Sequence, residues 1–114
     1  MKSIQTLLTN LYTALNAIDD NLYIYHYERA EDFTLPYGVW GEDGEADSFH
    51  GDNKKKEQVI AGYLDFYTQT EFDPLVDEIQ ITLDDLENCS WNLDSVLYED
   101  ETKLIHYSWR WELI

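Results

Sequence analysis

The sequence predicts an α+β domain: a mostly antiparallel sheet of about five strands with two helices packed on one face, in the order α-β-β-β-α-β-β. Three stretches carry that reading. Ile4, Leu7, Leu8, Leu11, Ala14, Leu15 and Ile18 recur at spacings of three and four, which makes an amphipathic helix with a single apolar stripe. Glu57 to Thr68 alternates instead. Ile60, Gly62, Leu64 and Phe66 fall on one face, and Val59, Ala61, Tyr63, Asp65 and Tyr67 on the other. A run that is apolar on one face and largely apolar on the second belongs inside a sheet, with a neighbour on each side. The C-terminal run places Ile105, Tyr107, Trp109, Trp111 and Leu113 on one face and Leu104, His106, Ser108, Arg110 and Glu112 on the other. That heavily aromatic face suits the underside of a pair of helices.

The remaining elements follow in order. Ser3 is placed to cap the first helix, and Asp19-Asp20-Asn21 closes it. Leu22 to Tyr27 reads as a strand, with Tyr23, Tyr25 and Tyr27 on one side and Leu22, Ile24 and His26 on the other. Phe33 to Gly41 reads as a second strand, which Pro36 makes either a sheet edge or a late entrant. Glu42-Asp43-Gly44 carries a turn signal, and Glu45 to Asn53 reads as a long exposed connection in the manner of a hairpin arm. Asp73 as cap and Pro74 as first helical residue open a second helix, whose apolar face is Leu75, Val76, Ile79, Leu83 and Leu86. Asp84, Asp85 and Glu87 crowd the far end of that helix, where the macrodipole disfavours negative charge by roughly 0.3–1 kcal/mol each. Trp91 to Tyr98 and Lys103 to Leu113 close the chain as a hairpin around Glu99-Asp100-Glu101-Thr102. Gly38 and Gly41 are expected to relieve twist or a bulge. Gly62 leaves a gap for a helix side chain or a large aromatic such as Trp109.

A chain of 114 residues is expected to form one domain with a core that needs no staples. Its hydrophobic share of 44% and aromatic share of 15% mark it as globular despite its acidity. Cys89, the single cysteine, has no internal disulfide partner, which points to a reducing compartment. The N-terminal stretch has neither the continuous apolar core of a signal peptide nor that of an anchor, so a cytoplasmic location is expected. The net charge of −17 sets 24 acidic residues against seven basic ones, three of them in the run Lys54-Lys55-Lys56. Such a field repels phosphate and anionic membrane surfaces, so neither nucleic acid nor membrane is an expected partner.

The residues that carry chemistry are few. His26 and His106 sit among aromatics in strands and read as hydrogen-bonded or partly exposed sheet histidines. His50, with Asp47 and Asp52, offers oxygens and one imidazole, but the spacing matches no zinc or EF-hand pattern, and no metal is assigned. Cys89 beside Glu87 and Asn88 is a blunted thiol, expected to be structural. No phosphate-binding glycine loop and no serine elbow occurs. No catalytic residue and no cofactor are expected, and an enzyme is not the reading. The tyrosines at 23, 25 and 27 are candidate interface residues, since tyrosine carries much of the energy of subunit contacts.

Leu35-Pro36-Tyr37-Gly38-Val39-Trp40, Glu42-Asp43-Gly44, Phe49-His50-Gly51-Asp52-Asn53-Lys54, Leu64-Asp65-Phe66-Tyr67-Thr68, Thr70-Glu71-Phe72-Asp73-Pro74, Ser90-Trp91-Asn92-Leu93, Tyr98-Glu99-Asp100-Glu101-Thr102 and Ile105-His106-Tyr107-Ser108-Trp109 together resemble a family of bacteriophage and prophage proteins. These are minor structural proteins of the tail-completion, tail-terminator or head–tail joining type. The resemblance covers roughly residues 22–113. It implies an α+β subunit that forms a ring, commonly a hexamer, at the end of the tail tube and docks on other head or tail proteins. It implies no cofactor and no active site. It also implies a contact arm at about Asp43 through Lys56, so Phe49, His50, Asp52, Lys54, Lys55 and Lys56 join the three tyrosines as candidate interface residues. The alternative is an acidic DNA mimic that blocks a host DNA-binding protein, with Asp73, Asp77, Glu78, Asp84, Asp85 and Glu87 as a row of phosphate-like carboxylates on the second helix.

Overall fold

The computed structural model describes residues 3–46, 49–51 and 54–114. Helix α1 (Ile4–Asn16) starts where Ser3 accepts a hydrogen bond from the Thr6 amide. It buries Leu7, Leu8, Leu11 and Leu15, the predicted stripe. Helix α2 (Leu75–Asp85) is capped by Asp73, whose Oδ1 accepts from the Leu75 amide at 2.9 Å, while Pro74 already has helical dihedrals. The predicted cap and N-terminal proline are both in place.

The main sheet has five strands: β1 (Tyr23–His26), β2 (Tyr37–Glu45), β5 (Ile60–Thr68), β6 (Cys89–Glu99) and β7 (Leu104–Leu113), in the spatial order β1-β2-β5-β7-β6. Between β2 and β5, the short strands β3 (Phe49–Gly51) and β4 (Lys54–Glu57) pair as a hairpin of their own. The expected order α-β-β-β-α-β-β therefore describes the main sheet, with the arm inserted into its β2–β5 hairpin. All main-sheet pairings are antiparallel except β1 with β2.

β5 lies at the centre of the sheet, between β2 and β7, as its two apolar faces predict. It opens at Ile60 rather than Glu57. Residues 33–36 do not enter the sheet, and β2 begins at Tyr37, just after the proline that has no amide to donate. β2 is not an edge, since β1 covers its other side. Glu42-Asp43-Gly44 does not turn. It continues β2 through a bulge opposite Gly62 and Ala61, where Gly44 adopts a φ of 154°. The turn signal was real chemistry used for a different purpose: a glycine that relaxes a bulge looks, in sequence, like one that closes a loop.

Both helices cover the same face of the sheet. Leu11, Leu15, Ile79 and Leu83 from the helices meet Ile24, Trp40, Leu64, Phe66, Trp109, Trp111 and Leu113 in one continuous core. The side chain that fills the space over Gly62 is Trp111, not Trp109, because the ladder sets Gly62 opposite Trp111 and Leu64 opposite Trp109. Three of the four indoles find partners for their N–H groups. Trp109 donates to Gln80 Oε1 at 3.1 Å, Trp111 to the Tyr63 carbonyl at 2.8 Å, and Trp91 to Asp84 Oδ1 at 3.2 Å. The last bond gives the acidic end of α2 a local function: Asp84 ties the helix to β6.

Candidate interaction surface

The face of the sheet away from the helices carries the side chains that the core does not use. Tyr23 and Tyr25 of β1, Tyr37 of β2, Tyr67 of β5 and His106 of β7 all point to it, since they are register partners or alternate with buried neighbours. Their rings form a continuous ladder across four strands. Centroids are 5.2 Å apart for Tyr23 and Tyr25, 6.3 Å for Tyr25 and Tyr37, 4.8 Å for Tyr37 and Tyr67, and 4.3 Å for Tyr67 and His106. Phe33 from the loop before β2 packs on Tyr37 at 4.8 Å, and the Arg29 guanidinium lies 4.0 Å over the Phe33 ring. Tyr37 is buried under these neighbours, whereas Tyr23 is 66% exposed. Burial, with help from the Asp65 carboxylate, pushes the Tyr67 hydroxyl up to about 12. His106 Nε2 sits 3.2 Å from Asp65 Oδ1 without the alignment of a hydrogen bond.

Tyr27 does not belong to this row. β1 ends at His26, and Tyr27 takes a left-handed φ of 73° that swings its ring back. The result is a stack in which the His26 imidazole lies between Tyr27 at 3.8 Å and Trp40 at 4.1 Å. Its Nε2 is 2.8 Å from Glu42 Oε1. Burial alone would raise the Glu42 carboxyl, but hydrogen bonds from Tyr27 and His26 overcome it and hold the group below its ordinary range. This cluster borders a groove of about 190 Å³ between α1 and β2, lined by Gln5, Leu8, Thr9, Tyr12, His26, Trp40 and Glu42. The groove is below the usual range of about 300–1,000 Å³ for small-molecule sites. Trp40 Nε1 is buried without a hydrogen-bond partner among the described residues.

On the far side of the domain, Arg110 of β7 reaches over β5 to Asp43 in the β2 bulge and grips it with two bonds, of 2.6 and 3.0 Å. The guanidinium holds the Asp43 carboxyl below its usual range. Cys89, at the start of β6, is half-buried, and its thiol is pushed up to about 11, by burial first and by Asp84 second. The neighbour that matters is Asp84 across the helix end, not the adjacent Glu87.

The other predicted residues divide as follows. Phe49 and His50 lie in β3 and Lys54, Lys55 and Lys56 in β4, so the arm is a hairpin as expected. Asp52, like Asp47, lies outside the described residues. Among the described residues, no three of histidine, cysteine, aspartate and glutamate converge as a metal set, and no helix is long and apolar enough to cross a membrane. The carboxylate row proposed for a DNA mimic loses its first member. Asp73 is 8% exposed and spends both oxygens internally, one on the Leu75 amide and one on the Thr68 hydroxyl at 2.6 Å.

The feature that sequence reasoning missed is the outer edge of the sheet. Among the described residues β6 pairs only with β7, yet Leu93, Val96, Leu97 and Tyr98 along it are each at least 42% exposed. The signal was present, for this strand has apolar residues at consecutive positions 96, 97 and 98 where a one-sided strand would alternate. No protein-family model matches this sequence, and none of the characterised proteins compared with it is significantly similar.

Proposed function

We propose that this protein is a non-enzymatic structural subunit of a bacteriophage or prophage particle, of the tail-completion or head–tail joining kind, which associates with copies of itself into a ring and works through contacts with other particle proteins. The observation that carries the reading is the aromatic ladder on the uncovered face of the sheet. Interfaces are enriched in tyrosine, and rings that are already stacked lose little side-chain freedom when a second surface closes over them. The occupant of that face in this reading is a second copy.

The charge supports the same role. A passage for DNA must not hold it, and −17 on each subunit, multiplied around a ring, lines such a passage with a field that repels phosphate. The motif resemblance over residues 22–113 adds the particle context.

Two measurements test the proposal. In sedimentation, the protein with its particle partner forms a closed oligomer, and Tyr23→Ser with Tyr25→Ser shifts it to smaller species; a mass unchanged by both substitutions refutes the sheet-face contact. In electron micrographs, particles lacking the gene carry unfinished or overlong tails. Finished, infectious tails refute the role itself.

A further inference from the structure

We infer that the open edge of β6 takes an extended, basic segment of a different protein as an added strand. A sheet edge presents a row of unpaired backbone N–H and C=O groups, and proteins ordinarily blunt it with charged side chains, lysine above all, with proline, with bulges or with a very short strand. β6 has only two acids and one bulge to protect it. It runs for eleven residues, Cys-Ser-Trp-Asn-Leu-Asp-Ser-Val-Leu-Tyr-Glu, without a lysine or a proline. Its one irregularity is the bulge between Leu93 and Ser95, which leaves Ser95 to Glu99 in unbroken register with β7 as a landing stretch.

That stretch is furnished for an incoming strand. Side chains of an added strand alternate between the two faces of the sheet, so recognition needs a hollow on each face. Both are present. On the open face, Tyr67, Leu97, Leu104 and His106 line a recess of about 370 Å³. On the helix face, Gln69, Glu71, Tyr98, Lys103 and Ile105 line another of about 390 Å³. Val96, Leu97 and Tyr98 are 49, 59 and 58% exposed beside them.

The charge selects the occupant. Asp94 stands at one end of the stretch and Glu99, Asp100 and Glu101 at the other, all exposed. Arg110, which feels the charge of Asp94, is already bonded to Asp43, and at the other end a single cation, Lys103, follows the three acids Glu99, Asp100 and Glu101. A second copy on this edge would bring the same acids of both chains to one seam, which cross-strand like-charge pairs disfavour. A strand with lysine or arginine interleaved with β-branched residues meets the acids with one face and fills the recess on the other. This surface shares Tyr67 and His106 with one end of the aromatic ladder, lies at the opposite edge of the sheet from Tyr23 and Tyr25, and stands without the ring.

The test uses a fluorescent seven-residue peptide of alternating lysine and valine, with a control carrying glutamate for lysine. Anisotropy and amide hydrogen exchange are read on the intact protein. The basic peptide binds and slows exchange over Ser95 to Glu99, and Asp94→Lys with Glu99→Lys weakens it at least tenfold. Leu97→Lys, at an exposed position that leaves the far-ultraviolet circular dichroism unchanged, weakens it as well. Three results overturn the inference: no binding, equal binding of the acidic control, or binding with no slowed exchange in β6. Slowed exchange in β6 that grows with protein concentration in the absence of peptide also overturns it, in favour of a second copy.

Discussion

Trp111 lies across Gly62. A β-carbon built on that glycine would stand 2.2 Å from Trp111 Cζ2 and 2.2 Å from the Gly41 carbonyl oxygen, inside both van der Waals surfaces. The indole N–H is held by the Tyr63 carbonyl one residue along, so the ring cannot swing clear without losing that bond. Gly62→Ala therefore forces a shift of both β2 and the indole. It should destabilise by about 3 kcal/mol, the upper range for overpacking a core, measured by urea denaturation. A loss below about 1 kcal/mol would mean the indole relaxes freely.

Asp73 joins the end of β5 to the start of α2. Asp73→Ala removes the cap and strands the buried Thr68 hydroxyl, for an expected loss of about 2–4 kcal/mol from the two effects together. Asp73→Asn keeps an oxygen for the Leu75 amide and should lose distinctly less. Equal losses for the two variants would show that charge, not capping, is what matters there.

The Arg110–Asp43 pair is bidentate but 40 and 42% exposed, so solvent screens it. A double-mutant cycle with Arg110→Ala and Asp43→Ala should give a coupling of about 0.2–1 kcal/mol that shrinks as salt is raised from 0.1 to about 1 M. A coupling above about 2 kcal/mol, insensitive to salt, contradicts the exposure of the pair.

Cys89 sets an alkaline limit on stability. Its folded pKa is raised from 9.0 to about 11, because burial penalises the thiolate. The folded state then holds the proton more tightly than the unfolded one. The corresponding stability is complete below about pH 9 and is lost as the pH climbs through the folded value. Cys89→Ser should flatten the stability profile in that window. The native thiol should also react slowly with a disulfide reagent at pH 8 and quickly after unfolding. Fast native labelling would contradict the burial.

Much of the fold is legible because it is periodic. The α1 stripe, the alternation of Ile60 to Thr68 and the aromatic face of Ile105 to Leu113 each state which side is buried, and each side was found buried. Asp73-Pro74 announced α2 because capping is local chemistry. The errors fall where one signal serves two structures: Glu42-Asp43-Gly44 suits a turn and a bulge equally, and Tyr27 continues the alternation of β1 until a left-handed φ removes it.

By itself, then, the sequence determined the elements and their inward faces, since hydrophobic spacing and end caps act within a few residues. Only the tertiary structure decided what lies across from what: β1 parallel beside β2, Trp111 rather than Trp109 over Gly62, Arg110 against Asp43 some 67 positions away, and β6 at the rim with its outer side open. Those choices follow from strand order and register, which arise from packing between distant segments and leave no mark on the local pattern.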